Sequence, residues 1–288
     1  MPDGLFFKGV CFGMVIVRCV HLFFALLVLS SSLSAQQIVA HRGASEDAPE
    51  NTMAAFDLAW EQKSDAVEGD FYLTADGEIV AVHDKDTKRT GDRNLDVRKS
   101  SVADLKTVDA GSWKDKRFAG EQIPIIEEVV ASIPDDKVFV LEIKDSPRLV
   151  PVLAKKIAEN PDFKKLLPNR LMIIAFDANV VKACRQQIPE ARAVWLTSFK
   201  GDLAAGKVTP TIDSILDTLQ QIDAHGLDCK ASDHINAAFV RRLREARPDR
   251  PYEFHVWTVD DAAVAKRFQK LGVDSITTNR PARLRSSL

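Results

Sequence analysis

Cysteine is scarce in this chain of 288 residues, with only Cys11, Cys19, Cys184 and Cys229 present. No CxxC or Cys/His spacing accompanies them, which argues against a zinc site, and so few thiols cannot make a disulfide framework. Cys184 and Cys229 read as two small buried residues rather than a bridge, although a pair formed after export is the alternative. Charge of one sign is missing as well. A formal net charge of −2 offers no field for nucleic acid or an anionic membrane, so any specificity must be local and directed at a small molecule. A long apolar run is also absent: the uncharged stretch from Val20 to Leu29 is shorter than the roughly 20 residues of a comfortable membrane span.

What the N-terminus does contain is Lys8 and Arg18, that short apolar run, and the small residues SSSLSA before Gln36. This is the pattern of an export signal, residues 1–35, with cleavage expected after Ala35. A cut after Ser34 and retention as an uncleaved anchor are the alternatives. The working protein is then expected to be residues 36–288, periplasmic or extracellular, with no stable membrane span.

Across residues 36–288, short apolar runs alternate with amphipathic stretches. Strands are expected at Ile38–Ala40, Ala66–Leu73, Val138–Ile143, Leu171–Ala175, Ala193–Leu196, Gly226–Cys229, Tyr252–Thr258 and Asp274–Thr277. Helices are expected at Asn51–Gln62, Leu149–Ala158, Asn179–Gln187, Thr211–Ala224, Asn236–Arg244 and Asp260–Leu271. Such alternation predicts a parallel α/β barrel of the TIM (β/α)8 type, with an open doubly wound sheet as the alternative. Asp84–Gln122 breaks the pattern: it is polar, charged and punctuated by Gly91, Gly111 and Gly120. A segment of this length is expected to be an insertion after the second strand, either a lid over a site or a surface excursion.

The chemistry concentrates at the ends of the expected strands, where a parallel barrel carries its reactive groups. His41 and Arg42 follow the first strand, Glu68 and Asp70 lie in the second, His83 follows shortly after, and Glu142 and Lys144 occupy the third. Residues two apart on a strand share a face, so Glu68 converges with Asp70, and Glu142 with Lys144. Three inward carboxylates demand compensation, and a hard divalent cation, Ca²⁺ or Mg²⁺, provides it. Singly, each group has a plainer reading: Glu142 with Lys144 a salt bridge, His83 a loop histidine, Arg42 a turn residue. Their coincidence at strand ends favours a site. His225, His234 and His255 have sparser surroundings and read as structural or surface residues, with His255 placed where it could line the mouth.

Taken in order, HRG and APENT (His41–Gly43, Ala48–Thr52), E-x-D with LTADG and HD (Glu68–Asp84) and TG (Thr90, Gly91) resemble the glycerophosphodiester phosphodiesterase family. So do DAGSW (Asp109–Trp113), GEQIPIIEEVV (Gly120–Val130), LEIK (Leu141–Lys144), VWTVD (Val256–Asp260) and GVDSITTNRP (Gly272–Pro281). The resemblance implies a TIM-barrel enzyme in which His41 and His83 are the acid/base pair and Glu68, Asp70 and Glu142 hold one divalent cation. Arg42 and Lys144 would meet the phosphate, and Trp257 would border the substrate pocket.

The expected reaction is hydrolysis of glycerophosphodiesters to glycerol 3-phosphate and an alcohol, with His41 suggested as base and His83 as acid. The sequence alone leaves that order open. Two departures from the family pattern stand out: Asp260 where Asn is frequent, and Ile125–Ile126 where Thr-Leu is frequent. Both are expected to affect pocket shape rather than the metal or phosphate groups. Lysophospholipids or sugar phosphodiesters are alternative substrates. A non-catalytic binding protein on the same scaffold would be expected to have lost a histidine or a metal ligand, and here all are present.

Overall fold

The structure, a computed structural model, describes residues 36–202 and 207–288 together with the isolated Gly4. Apart from that glycine, the expected export signal lies outside the described residues. No helix among the described residues is long and apolar enough to cross a membrane.

Eight parallel strands close into a barrel: β1 Gln37–Ala40, β2 Ala66–Leu73, β3 Val138–Ile143, β4 Leu171–Ala175, β5 Arg192–Thr197, β6 Gly226–Lys230, β7 Glu253–Trp257 and β8 Ser275–Thr278. Each pairs with its neighbour in chain order, and β1 pairs with both β2 and β8, which closes the ring and excludes the open sheet. All eight expected strands are present within a residue or so at each end. Helices follow the strands, including Met53–Glu61, Leu149–Glu159, Ala178–Gln187, Ile212–Gln221, Ala237–Glu245 and Ala262–Lys270. Short helices at Ile126–Ala131, Pro161–Leu166 and Pro281–Arg285 were not anticipated, having too few turns to display a period. Side-chain oxygens at the helix starts explain several of the boundaries. Asp177, Asn236 and Asp261 each accept a hydrogen bond from a backbone N–H of the first turn.

Strict alternation divides each strand's side chains between two cores. Outward residues such as Phe71, Phe139, Leu141 and Ile173 pack under the helices, with Phe71 and Phe139 edge-on at 5.7 Å. Inward residues Val39, Ala66, Val138, Val140, Met172, Ile174, Val194 and Leu196 fill the barrel. Those eight all belong to β1–β5. The inward face of β6–β8 carries polar residues, with Asp228 opposite His255 and His255 opposite Ser275, while Trp257 at the end of β7 packs against the inner cluster. His255 is buried, with Nδ1 2.8 Å from Ser275 Oγ and Nε2 3.2 Å from Glu253 Oε2.

Residues 84–122 contribute to a separate small core. Tyr72, Val80 and Val82 pack there with Val97, Leu105, Val108, Ala110 and Ile123. The segment is fastened to the loop after β1, where Lys114 Nζ donates to Ser45 O and Arg117 Nη2 to Asp47 O, both at 2.8 Å. Among the described residues Cys184 and Cys229 form no disulfide, and both are buried in the apolar contacts between barrel and helices. Phe139 is fully buried in that layer, so Phe139→Ala should lower the unfolding free energy by about 3–5 kcal/mol with an unchanged denaturant m-value. A loss under about 1 kcal/mol would contradict this account of the outer core.

Candidate active site

The backbone at the end of β1 is held in a tight turn. Arg42 and Gly43 both adopt left-handed conformations, at φ 55° and 77°, and a Cβ on Gly43 would meet the Ala55 backbone at 2.5 Å. Only glycine fits this approach, which brings the first helix against the loop. The turn points the Arg42 N–H at Glu68 Oε2 (2.9 Å) and the guanidinium at Asp70 and Glu50, with Nε 3.1 Å from Asp70 Oδ2 and Nη1 2.8 Å from Glu50 Oε1. Asn51, also left-handed, holds Asp70 from the other side: its Nδ2 donates to Asp70 Oδ2 (2.9 Å), and its Oδ1 accepts from the Asp70 N–H (3.1 Å).

Glu68, Asp70 and Glu142 converge from β2 and β3, each offering an oxygen within 4.8 Å of the others. Asp70 and Glu142 are register partners. Glu68 Oε1 and Asp70 Oδ1 are buried without a hydrogen bond among the described residues, and with Glu142 Oε1, which faces Lys144, they form a donor set that could hold a hard cation. Like charge in a low-dielectric setting drives the three groups apart in acidity. Burial, then Asp70 and Glu142, push Glu68 well above the carboxylate range. Burial and Asp70 push Glu142 up to about 8. Asp70 stays low against its own burial because Arg42 and Lys144 stabilise its charge. Lys144 Nζ stands 2.9 Å from Glu142 Oε1, 3.7 Å from Asp70 Oδ1 and 3.1 Å from His83 Nε2.

The two histidines are oriented by different partners. His83 Nδ1 lies 2.8 Å from Asp84 Oδ1, and Arg89 ties Asp84 (2.7 Å) to Glu50 (2.7 and 2.8 Å). Arg89 comes from the inserted segment, so that segment takes part in positioning His83. His41 Nδ1 lies 2.7 Å from Asn279 Oδ1. Asn279 is gripped by Asp260, whose carboxylate accepts from Asn279 N (2.8 Å), Asn279 Nδ2 (2.6 Å) and Thr278 Oγ1 (2.9 Å). A carboxylate only accepts, so the amide nitrogen must face Asp260 and the amide oxygen His41. His41 therefore carries its proton on Nδ1 and leaves Nε2 unprotonated. Burial, reinforced by Arg42, lowers its basicity.

A cavity of about 170 Å³ gathers these groups, with His41, Arg42, Glu68, His83, Glu142 and Lys144 on one side. Ile174, Phe176, Leu196, Asp228, Trp257 and Thr277 line the other. Phe176 and Trp257 meet edge-on at 5.6 Å. Every expected site residue thus belongs to one cluster, Asp70 lying just beneath the cavity wall. Glu50, Asn51, Arg89, Asp228 and Asn279 were not singled out from the sequence. Asp228 had a visible signal, an acidic residue inside the apolar strand GLDC. Asp260 acts on His41 through Asn279, a role its sequence position does not disclose. Ile125 and Ile126 pack in the cores, outside the lining of this cavity.

A singly wound βα barrel with two histidines, an acidic triad and two cations at its mouth defines a class, the barrel phosphodiesterases. The model of the glycerophosphoryl diester phosphodiesterase family matches residues 41–283. A glycerophosphodiester phosphodiesterase of Caldanaerobacter subterraneus is 30% identical over 251 residues, covering 86% of this chain and 95% of the relative. One from Bacillus subtilis is 29% identical over 257 residues, covering 84% and 83%. The solved structure of an Oleispira antarctica phosphodiesterase in complex with its product sn-glycerol 3-phosphate superposes with a TM-score of 0.70 at 26% identity, covering 87% of this chain and 96% of that one. The chain belongs to the glycerophosphoryl diester phosphodiesterase family and is an enzyme.

Two outcomes follow from the site's electrostatics. Ca²⁺ or Mg²⁺ at a hundredfold excess over its Kd should stabilise the fold by about 2.7 kcal/mol, and Glu142→Gln should remove most of the resulting Tm shift. Because Glu142 is raised to about 8, cation binding must displace a proton below that pH. Affinity should weaken as pH falls from 8 to 6, with proton release in calorimetry, and a pH-independent Kd would sink this reading. Separately, Asp260→Ala should lower turnover about 10–100-fold, the usual effect of losing a supporting hydrogen-bond partner. Unchanged turnover would remove Asp260 from the positioning of His41.

Proposed function

We propose that the enzyme hydrolyses glycerophosphodiesters such as glycerophosphocholine or glycerophosphoethanolamine to glycerol 3-phosphate and an alcohol, with His41 as general base and His83 as general acid. The observation that carries this reading is the arrangement of His41 and His83 at one cavity, each oriented through Nδ1, beside three convergent carboxylates. Glu68, Asp70 and Glu142 are the residues that would hold the cation, which supplies positive charge against the phosphate oxygens as charge accumulates there. Arg42 and Lys144 add fixed positive charge at the same place, strongest where the transition state needs it.

His41, with Nε2 free, takes the proton of the nucleophile, either water or the glycerol's neighbouring hydroxyl. His83, oriented by Asp84 at Nδ1, protonates the departing oxygen. The Lys144 ammonium donates to His83 Nε2 at 3.1 Å. A phosphate that attracts Lys144 leaves that nitrogen available to carry the proton. The inserted segment favours a water-soluble diester over a lysophospholipid. Its one large exposed hydrophobic among the described residues is Trp113, too little apolar surface to seat an acyl chain. The expected export signal places the reaction outside the cytoplasm, in the periplasm or the medium.

Incubation with glycerophosphodiesters, coupled through released glycerol 3-phosphate to a dehydrogenase, is the test. Chelation should abolish turnover, and His41→Ala or His83→Ala should lower kcat about 10²–10⁴-fold. Because His41 is less basic than an ordinary histidine, it stays neutral as pH falls through the usual value of about 6.5. At saturating cation the acid limb of kcat/KM should lie below that pH. Full activity in chelator, or in either histidine variant, would rule the mechanism out.

A further inference from the structure

One buried acid lies outside the machinery just described. Asp228 is 2% exposed, lines the cavity from β6, and its Oδ1 has no hydrogen-bond partner among the described residues. In an eight-stranded ring closed in chain order, β6 is four strands from β2 in either direction, so Asp228 faces the Glu68–Asp70 strand across the mouth. The nearest polar side chain of the neighbouring strand does not satisfy it. His255, its register partner, has both ring nitrogens engaged, with Ser275 and Glu253. Two residues on along β7, Trp257 also lines the cavity, and its Nε1 is a buried donor with no acceptor among the described residues.

Leaving a buried carboxyl and a buried indole N–H unpaired is costly, and such groups call for a partner. The two supply what a hydroxyl needs, an acceptor and a donor on adjacent strands, beside an apolar wall of Ile174, Phe176 and Leu196 suited to C–H surface. Burial raises Asp228 to about 7, so near neutrality its carboxyl can either accept or donate.

Building on the proposed substrate, we propose that Asp228 and Trp257 Nε1 bind the terminal hydroxyl of the glycerol arm, the one remote from the phosphate, and make Asp228 a determinant of specificity. The glycerol then enters the β6–β7 side of the barrel with the phosphate at Arg42 and Lys144, and the head-group alcohol points outward.

Calorimetric titration of the whole protein, with Ca²⁺ or Mg²⁺ present, tests this without recourse to turnover. The probes are sn-glycerol 3-phosphate and propyl phosphate, which carries no free hydroxyl on its arm. The wild type should bind the glycerol compound about 10–100-fold more tightly, the usual worth of a hydrogen bond to a charged or strongly polar buried group. Asp228→Leu should erase that preference while leaving propyl phosphate affinity unchanged. Asp228→Asn, which keeps size, acceptor and donor, should keep most of it at a similar Tm. If the leucine variant does not fold, Trp257→Phe removes the indole N–H donor while keeping an aromatic ring against Phe176, and should narrow the preference instead, with propyl phosphate reporting any change due to ring size alone. No preference in the wild type, or an undiminished one in Asp228→Leu or Trp257→Phe, would overturn the assignment. A hydroxyl preference without cleavage of any glycerophosphodiester overturns the proposed reaction and leaves this subsite standing; cleavage without the preference does the reverse.

Discussion

Three carboxylates aimed at one point inside a protein are the constraint around which the rest of this mouth is arranged. Glu68, Asp70 and Glu142 sit on adjacent, hydrogen-bonded strands, so their separation is set by the sheet and they cannot drift apart. Their mutual repulsion must be offset in place. Arg42, turned back by a left-handed backbone, and Lys144, two residues beyond Glu142, supply part of the compensation. A cation held by the triad would supply the remainder. The same positive groups that steady Asp70 are those positioned to meet a phosphate, so the stability of the site and its proposed chemistry rest on one set of charges.

From that centre, hydrogen bonds run outward in two directions with different consequences. One passes from Arg42 through Glu50 to Arg89, Asp84 and His83, and binds the inserted segment to the barrel. Glu50 remains ionised against its own burial because Arg89 and Arg42 both hold its charge. The other passes from Asp260 through Asn279 to His41 and selects the imidazole tautomer. One histidine is therefore braced by a carboxylate and the other by an amide.

The fold was legible because each barrel strand is buried on both faces. Continuous runs such as VFVLEI and LMIIA with helical periods between them marked a parallel α/β sheet, and the choice between barrel and open sheet fell to the pairing of β1 with β8. The short helices and the small core of the inserted segment were not legible, since fewer than two turns display no period. Among site residues, His41, Glu68, Asp70, His83, Glu142 and Lys144 were accessible through strand-end position and two-residue spacing. Asn279 and Asp260 were not, because their effect on His41 runs through contacts 238 and 19 residues apart.

By itself, the sequence determined the alternation of strands and helices, which side chains share a strand face, and how sparse the chain is in cysteine and net charge. These are local properties, set by residue type and a period of two. Tertiary structure alone decided that β8 returns to β1, so that Asn279 reaches His41, and that Arg89 clasps Glu50 to Asp84. It also set Asp228 across the mouth from the acidic triad. Such facts depend on ring closure and on loops packing over the mouth, and no spacing along the chain encodes a distance across a barrel.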